Sequence, residues 1–494
     1  MITHGTSADS SQTNNQQQLR LSSQEQRAII KRLRHEVLLQ YRPVLQQGAG
    51  PIRVMARMVA ELGKRCRDLH LDEEIITSEI VDRTIGDVDL RRVIECEGEP
   101  GGPGDYRMLA DELGIALPGE HLNGYTASGE VYRWLRDQML HYERLLLQHN
   151  IDLRIYDIVG TGNPLLRDWL AADWQEQWGL TVKGDQVYLS LGAMDGIDKT
   201  LRGFRQMCDE QGIKERAVLF PAPGFGVPEA QARAYGYRLH RVSTRPEHRF
   251  KLTAEELEQA LQEAPDIRLI YLTVTNNPTT FAFTPQELRA LHAVVRRQRE
   301  AGRQVFFLAD LAYVGTGRPE DDRARMATFA EPAHLEQTIF VSSFSKTLSL
   351  TGDRFGWVTI GDARLAPALA PGWSNSMASL PAEWQLRFMA YLQLLRDRPY
   401  LSEKLRNLYR LRRRRFIAQL QQLDQELRLF DQIYLDDDAT VYNWSKLRTG
   451  EDAFSLFEKT GIAGVPGSGF GYTDEYVRFS VGVIPVPVET LLEN

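Results

Sequence analysis

Cysteine is scarce: Cys66, Cys96 and Cys208 are the only three in 494 residues, odd in number and far apart. That excludes a disulfide framework and leaves no metal-ligand spacing, so all three read as reduced, buried thiols of a cytoplasmic protein. No window approaches the roughly twenty consecutive apolar residues of a membrane span, and the N-terminus lacks the hydrophobic core of a signal peptide. A cytoplasmic protein with no membrane partner is expected. Positive charge is not in excess either: the net charge is −7, without the basic footprint of a general nucleic-acid binder. The 43% apolar and 25% charged residues of this long chain suffice for two or more packed cores.

Residues 1–20, rich in Ser, Thr, Asn and Gln, hold too little apolar surface to order themselves and are expected to be a disordered tail. From Ser22 to Leu39, and again from Ile52 to Leu62, apolar residues recur three and four apart, which predicts helices. Beyond Tyr156 short apolar runs alternate with amphipathic helical patterns. Strands are predicted at 187–191, 217–220, 239–242, 269–274, 305–308, 339–342 and 355–360. This alternation predicts an α/β fold, a mostly parallel seven-stranded sheet covered by helices on both faces. Ligands of such sheets bind beyond the carboxyl ends of the strands.

One such end carries the least ordinary stretch of the chain, Ser-Ser-Phe-Ser-Lys-Thr-Leu-Ser-Leu-Thr-Gly-Asp-Arg-Phe-Gly-Trp at 342–357. It sets Lys346 among hydroxyl residues, with Arg354 eight positions later between Gly352 and Gly356. Hydroxyl and guanidinium donors together suit a dianion, and a lysine beside them can form a Schiff base with an aldehyde anchored by its phosphate. The stretch resembles the Ser-x-Ser-Lys and Gly-x-Arg-x-Gly signature of the fold-type I pyridoxal-phosphate (PLP) enzymes of the aminotransferase class I/II family. Further stretches resemble the same family in the same order. Gly192-Ala193-Met194-Asp195-Gly196, a strand-to-helix turn, matches its phosphate-binding turn, to which Ser343 and Arg354 add from the other side. Phe225 matches the aromatic ring that stacks on the pyridine. Asn276-Asn277-Pro278-Thr279-Thr280 resembles Asn-Pro-Thr-Gly, which gives Asn277 a bond to the phenolic oxygen and leaves Thr280 where the family has glycine. An aspartate at the end of a buried strand needs a cationic partner; the resemblance implies that Asp310 pairs with the pyridinium nitrogen and that Tyr313, three residues on, bonds the phenolic oxygen. Tyr156, ahead of Gly162-Asn163-Pro164-Leu165-Leu166-Arg167, matches the tyrosine that reaches the partner subunit's cofactor phosphate. Arg478, in the apolar strand Tyr476–Ser480, matches the arginine that grips the substrate α-carboxylate as a bidentate pair.

The resemblance implies a PLP-dependent aminotransferase of fold type I, a homodimer with a large PLP-binding domain and a smaller α+β domain, moving the amino group of an L-amino acid to a 2-oxo acid. The domain limits expected are 1–20 for the tail, 21–155 for a helical extension and insert joined to the small domain, 156–365 for the large domain and 366–494 for the small one. Gly98-Glu99-Pro100 resembles the family's turn bordering the substrate, and about fifty residues after it look inserted. The same apparatus serves lyases, decarboxylases and cyclases, and some transcription regulators fuse a winged-helix domain to an aminotransferase-like one, so those classes stay open. The basic run Arg410–Arg415 reads as a solvated helix face.

Overall fold

The computed structural model describes residues 21–46, 50–86, 124–348, 350–377, 379–397, 399–435 and 441–481. The expected tail at 1–20, the turn at 98–100 and the segment up to residue 123 lie outside them. All seven predicted strands are present, after a short β1 (Val81–Asp82): β2 (Val187–Leu191), β3 (Ala217–Ala222), β4 (Arg238–Ser243), β5 (Ile267–Thr273), β6 (Phe306–Asp310), β7 (Thr338–Ser343) and β8 (Phe355–Ile360). They form one sheet in the order β2-β8-β7-β6-β5-β3-β4, in which β8 runs antiparallel to both neighbours and every other pair is parallel. Strands covered on both faces read as continuous apolar runs, as Phe306-Phe307-Leu308-Ala309 does. Alternate side chains enter two separate cores: Ile270, Phe307 and Phe340 pack with the helix-borne Leu257, Leu288 and Val295, whereas Leu269, Leu308 and Ile339 meet Leu201, Phe204 and Trp373. The edge strand β4 is half-exposed and carries Arg238 and Arg241, the kind of charged margin that discourages edge-to-edge pairing.

The chain's two ends build a second unit. Strands β9 (Phe430–Ile433), β10 (Tyr442–Leu447), β12 (Val465–Pro466) and β13 (Tyr476–Ser480) form an antiparallel sheet in the order β12-β13-β10-β9. β1 pairs in parallel with β11 (Ile462–Ala463). Helices 23–46 and 51–68 lay Ile30, Met58 and Leu62 on Phe416, Phe457 and Phe479 in one buried cluster. The N-terminal helices therefore complete the small unit's core. Arg34 ties them to it, donating to the Glu79 and Glu458 carbonyls.

Helix 124–148 packs along helix 382–397. Its Tyr142 and Leu146 share a buried cluster with Leu166, Phe344, Phe355 and Phe388, so this helix underpins the large sheet. Within the basic run, Arg412 and Arg413 are buried rather than solvated, because helix 400–427 is flanked by the lysine-bearing turn, helix 382–397 and strands β9 and β10. Among the described residues no helix is long and apolar enough to cross a membrane. Phe388 is fully buried between Phe344, Phe355, Trp357 and Trp384. Phe388→Ala is expected to cost about 3–5 kcal/mol through the cavity it leaves, read as a lower urea midpoint with an unchanged slope.

Candidate active site

Strand β7 ends at Ser343, which caps the one-turn helix Phe344–Thr347 by accepting a bond from the Ser345 amide, 3.4 Å away. Lys346 stands on this turn and its ammonium donates to the Gly86 carbonyl. From the C-terminal helix, the Tyr409 hydroxyl donates to the Lys346 carbonyl at 2.9 Å. The chain returns into β8 through Arg354, whose backbone is left-handed with φ 58°. Arg354 donates to the Thr351 carbonyl at 2.8 Å and to the Leu191 carbonyl at 3.4 Å. Leu191 immediately precedes helix 192–210. There Gly192 is obligatory on two counts: its φ is +81°, and a Cβ would sit 2.5 Å from the Arg354 guanidinium. A Cβ on Gly356 would in turn lie 2.6 Å from the Gly192 backbone. The arginine is thus pressed against a helix start at which Ala193 and Met194 supply unpaired amide donors, the arrangement that holds a phosphate. Asp195 faces the strand, accepting from the Leu191 amide at 2.8 Å and pairing with Lys199 at 2.8 Å.

Asp310 closes β6 and is 5% exposed. Its carboxylate accepts from the Tyr271 hydroxyl at 2.7 Å and the Ala312 amide at 2.9 Å. Burial raises its pKa above the ordinary carboxylate range, with the two hydrogen bonds opposing that rise. Neighbouring side chains extend the polar chain: the Asn277 amide donates to the Tyr313 hydroxyl at 3.2 Å, and Tyr313 meets the Tyr442 hydroxyl at 3.1 Å. The Asn277 carbonyl accepts from Arg478 at 3.0 Å. Arg478 is 2% exposed in the middle of β13, lies 4.3 Å above the Tyr442 ring and 4.9 Å from that of Phe470, and donates to the Thr84 carbonyl. Its Nε has no hydrogen-bond partner among the described residues.

Lys346, Asp310, Asn277, Tyr313 and Arg478 therefore converge at the carboxyl ends of the sheet, with Gly192, Ala193, Ser343 and Arg354 around the start of helix 192–210 and the end of β7. Phe225 is half-buried on the loop after β3, where the Gly224 amide donates to the Phe470 carbonyl at 3.0 Å. Tyr156 is not brought to this cluster by its own chain; it is 78% exposed, beside Ile155, Ile158 and Val159, and Met194 is also exposed. Thr280 keeps φ at +67°, so the loop holds the left-handed backbone that glycine favours in spite of a β-branched residue. Sequence reasoning missed Tyr271, Tyr442, and the Thr84 and Gly86 carbonyls. Tyr271 had a signal, a tyrosine on the strand beside Asp310; the other three had none, because Tyr442 meets Tyr313 across 129 residues and the pairing of β1 with β11 brings residues 84–86 to the site.

These residues fit PLP: a buried carboxylate with no cation bonded to it, a glycine-lined anion cradle with an arginine against it, and a lysine on the intervening turn. Residues 161–494 match the family "Aminotransferase class I and II". The chain belongs to that family. Among its relatives, valine–pyruvate aminotransferase of Mycobacterium tuberculosis is 28% identical over 205 residues, 41% of this chain and 47% of that protein. LL-diaminopimelate aminotransferase of Maridesulfovibrio salexigens is 25% identical over 320 residues, 63% of this chain and 76% of the relative. The match spans about half of the first relative's length. The aspartate aminotransferase of Rhizobium meliloti shares the fold at a TM-score of 0.63 and 17% identity, over 88% of this chain and 93% of that one.

The Asp310 environment makes a pH prediction for this family member freed of any bound cofactor. A carboxyl whose folded pKa is raised gives a stability contribution fully present below the unfolded value of about 3.9 and lost as pH rises through the folded value. Urea midpoints of the cofactor-free chain should decline through that window, and Asp310→Asn should flatten this component of the decline. Identical profiles for the two proteins would contradict it.

Proposed function

We propose that the protein is a PLP-dependent aminotransferase that moves the amino group of an L-amino acid to a 2-oxo acid. The observation that carries this reading is the hydrogen-bonded series from Tyr442 through Tyr313 and Asn277 to Arg478, set beside Lys346 and the cation-free Asp310. In it, Ala193, Met194, Ser343 and Arg354 would hold the phosphate, Phe225 would lie against the ring, Asn277 and Tyr313 would bond the phenolic oxygen, and Lys346 would be the amine that meets the aldehyde. Asp310 keeps the ring nitrogen protonated, the pairing that its raised pKa leaves it in need of. When bound, the cofactor supplies an electron sink that acidifies the Cα proton of an attached amino acid.

The rest is done by the chain. Arg478 binds the α-carboxylate, for which its free Nε and the face toward Asn277 suit it. Displacing the Thr84 carbonyl from this guanidinium and the Gly86 carbonyl from Lys346 couples substrate entry to movement of residues 84–86. Once free of the Gly86 carbonyl, the Lys346 amine would be the base that takes the Cα proton, and the amino group would stay with the cofactor while water supplies the oxygen of the 2-oxo acid. With the carboxylate held by Arg478, loss of that proton is favoured over loss of CO₂. Ile155, Tyr156, Ile158 and Val159 are exposed apolar residues close together in the chain, of the kind that a second copy covers, and in a homodimer Tyr156 would reach the other subunit's phosphate.

Borohydride treatment of the yellow protein should fix the cofactor to the peptide containing Lys346; labelling of a different lysine would refute that assignment. A panel of L-amino acids should include one that yields a 2-oxo acid in a single half-reaction without any acceptor. Consumption of substrate with the cofactor regenerated at every turnover would instead establish a lyase, decarboxylase or cyclase. Arg478→Ala should raise KM more than it lowers kcat if the carboxylate contact is equal in ground and transition states. KM values unchanged for every substrate would place Arg478 outside the pocket.

A further inference from the structure

Behind the lysine-bearing turn, on the side away from Asp310 and Arg478, lies a cavity of about 500 Å³, within the range of small-molecule sites. It is bounded by helices 164–178 and 382–397, the start of helix 400–427, the loop after β6 and the turn itself. Of the active-site residues Ser343 alone lines it; Lys346, Asp310, Asn277, Tyr313, Arg354 and Arg478 do not. Its walls are largely apolar, with Leu170, Trp174, Val314, Phe344, Leu392 and Leu395.

The polar groups of the lining sort into satisfied and unsatisfied ones. Asp322, 1% exposed, is saturated: it accepts from the Gly315 amide at 2.8 Å and from Arg325 at 2.8 Å. Asp173 is bound by Arg396 at 3.0 Å. Two donors remain. The indole N–H of Trp357, a residue 7% exposed, has no hydrogen-bond partner. The half-buried Arg406 guanidinium has no hydrogen bond or ion pair among the described residues; Asp322 and Glu403 act on it only as nearby charges, and burial lowers its pKa. A buried donor left unmade costs about 1–3 kcal/mol, and a dry cation costs more, so an acceptor carrying negative charge relieves both.

We propose that this cavity is a second ligand site, distinct from the amino-acid pocket, for a small molecule with an aromatic or branched apolar body and one carboxylate or sulfonate. The apolar body fills the space between helices 164–178 and 382–397, and the anion takes the Arg406 guanidinium and the Trp357 N–H. The ligand would touch Ser343, Phe344 and Thr347, on the opposite side of the turn from the Lys346 ammonium.

The test uses the full-length protein with its cofactor and 8-anilinonaphthalene-1-sulfonate as the probe, followed by fluorescence, so it does not depend on which reaction the enzyme catalyses. Binding should saturate at one probe per chain and persist when the amino-acid pocket is saturated with substrate. Arg406→Gln should weaken it at least tenfold and Trp357→Phe several-fold, while Ser402→Trp, at the cavity wall, should abolish it. In crystals of the complex the sulfonate should lie against Arg406. Affinity unchanged in Arg406→Gln and Ser402→Trp, or displacement of the probe by substrate, would overturn the proposal, as would a probe seated elsewhere. Arg406→Gln and Ser402→Trp decide the matter if Trp357→Phe does not fold.

Discussion

A carboxylate buried at the end of a strand, bonded to a tyrosine and an amide but to no cation, is the constraint around which this molecule is arranged. Asp310 sits where β6 is covered on both faces, level with the end of β5 at Thr273 and two residues short of the end of β7. The Tyr271 hydroxyl and the Ala312 amide offset part of the desolvation penalty but supply no positive charge. On the proposed function a pyridinium nitrogen would supply it, and the carboxylate whose burial is costly without a cation would then keep the cofactor's ring electron-withdrawing. Stability without ligand and reactivity with it would be set against each other at one residue.

Close backbone approach is the second requirement. Gly192 and Gly356 let the start of helix 192–210 and strand β8 meet without side chains, so that the Arg354 guanidinium can lie against Gly192 and donate to the Leu191 carbonyl. The cradle is rigid because it is built from a strand end and a helix start rather than from a long loop. Lys346, by contrast, stands on a single helical turn, held by Phe344 in the core beneath it and by the Tyr409 hydroxyl from the C-terminal helix.

The small unit closes the site from the other direction. Arg478 is costly in the middle of an apolar sheet, and its face-on contacts with Tyr442 and Phe470 spread that cost over aromatic faces. In this structure the Thr84 and Gly86 carbonyls occupy donors of Arg478 and Lys346. Backbone oxygens held there are exchangeable for a carboxylate in a way that a buried side-chain carboxylate would not be, since they carry no net charge.

The strands of the large sheet and the order of motifs along them were legible in the sequence, because burial on both faces writes itself as continuous apolar runs and because a strand end, its turn and the next helix are neighbours along the chain. Lys346, Asp310, Asn277 and Arg478 could be picked out for that reason: each is a polar residue at the margin of an apolar run. What the sequence could not show depends on contacts between distant segments. The Arg478 bond to Thr84 spans 394 residues, the meeting of Tyr313 with Tyr442 spans 129, and the burial of Arg412 and Arg413 reflects elements packed around one helix from several parts of the chain. Local spacing determined which residues stand at the margins of the apolar runs; tertiary packing alone decided which partners surround them, since hydrogen bonds and desolvation act through distance in space and leave no periodic trace along the chain.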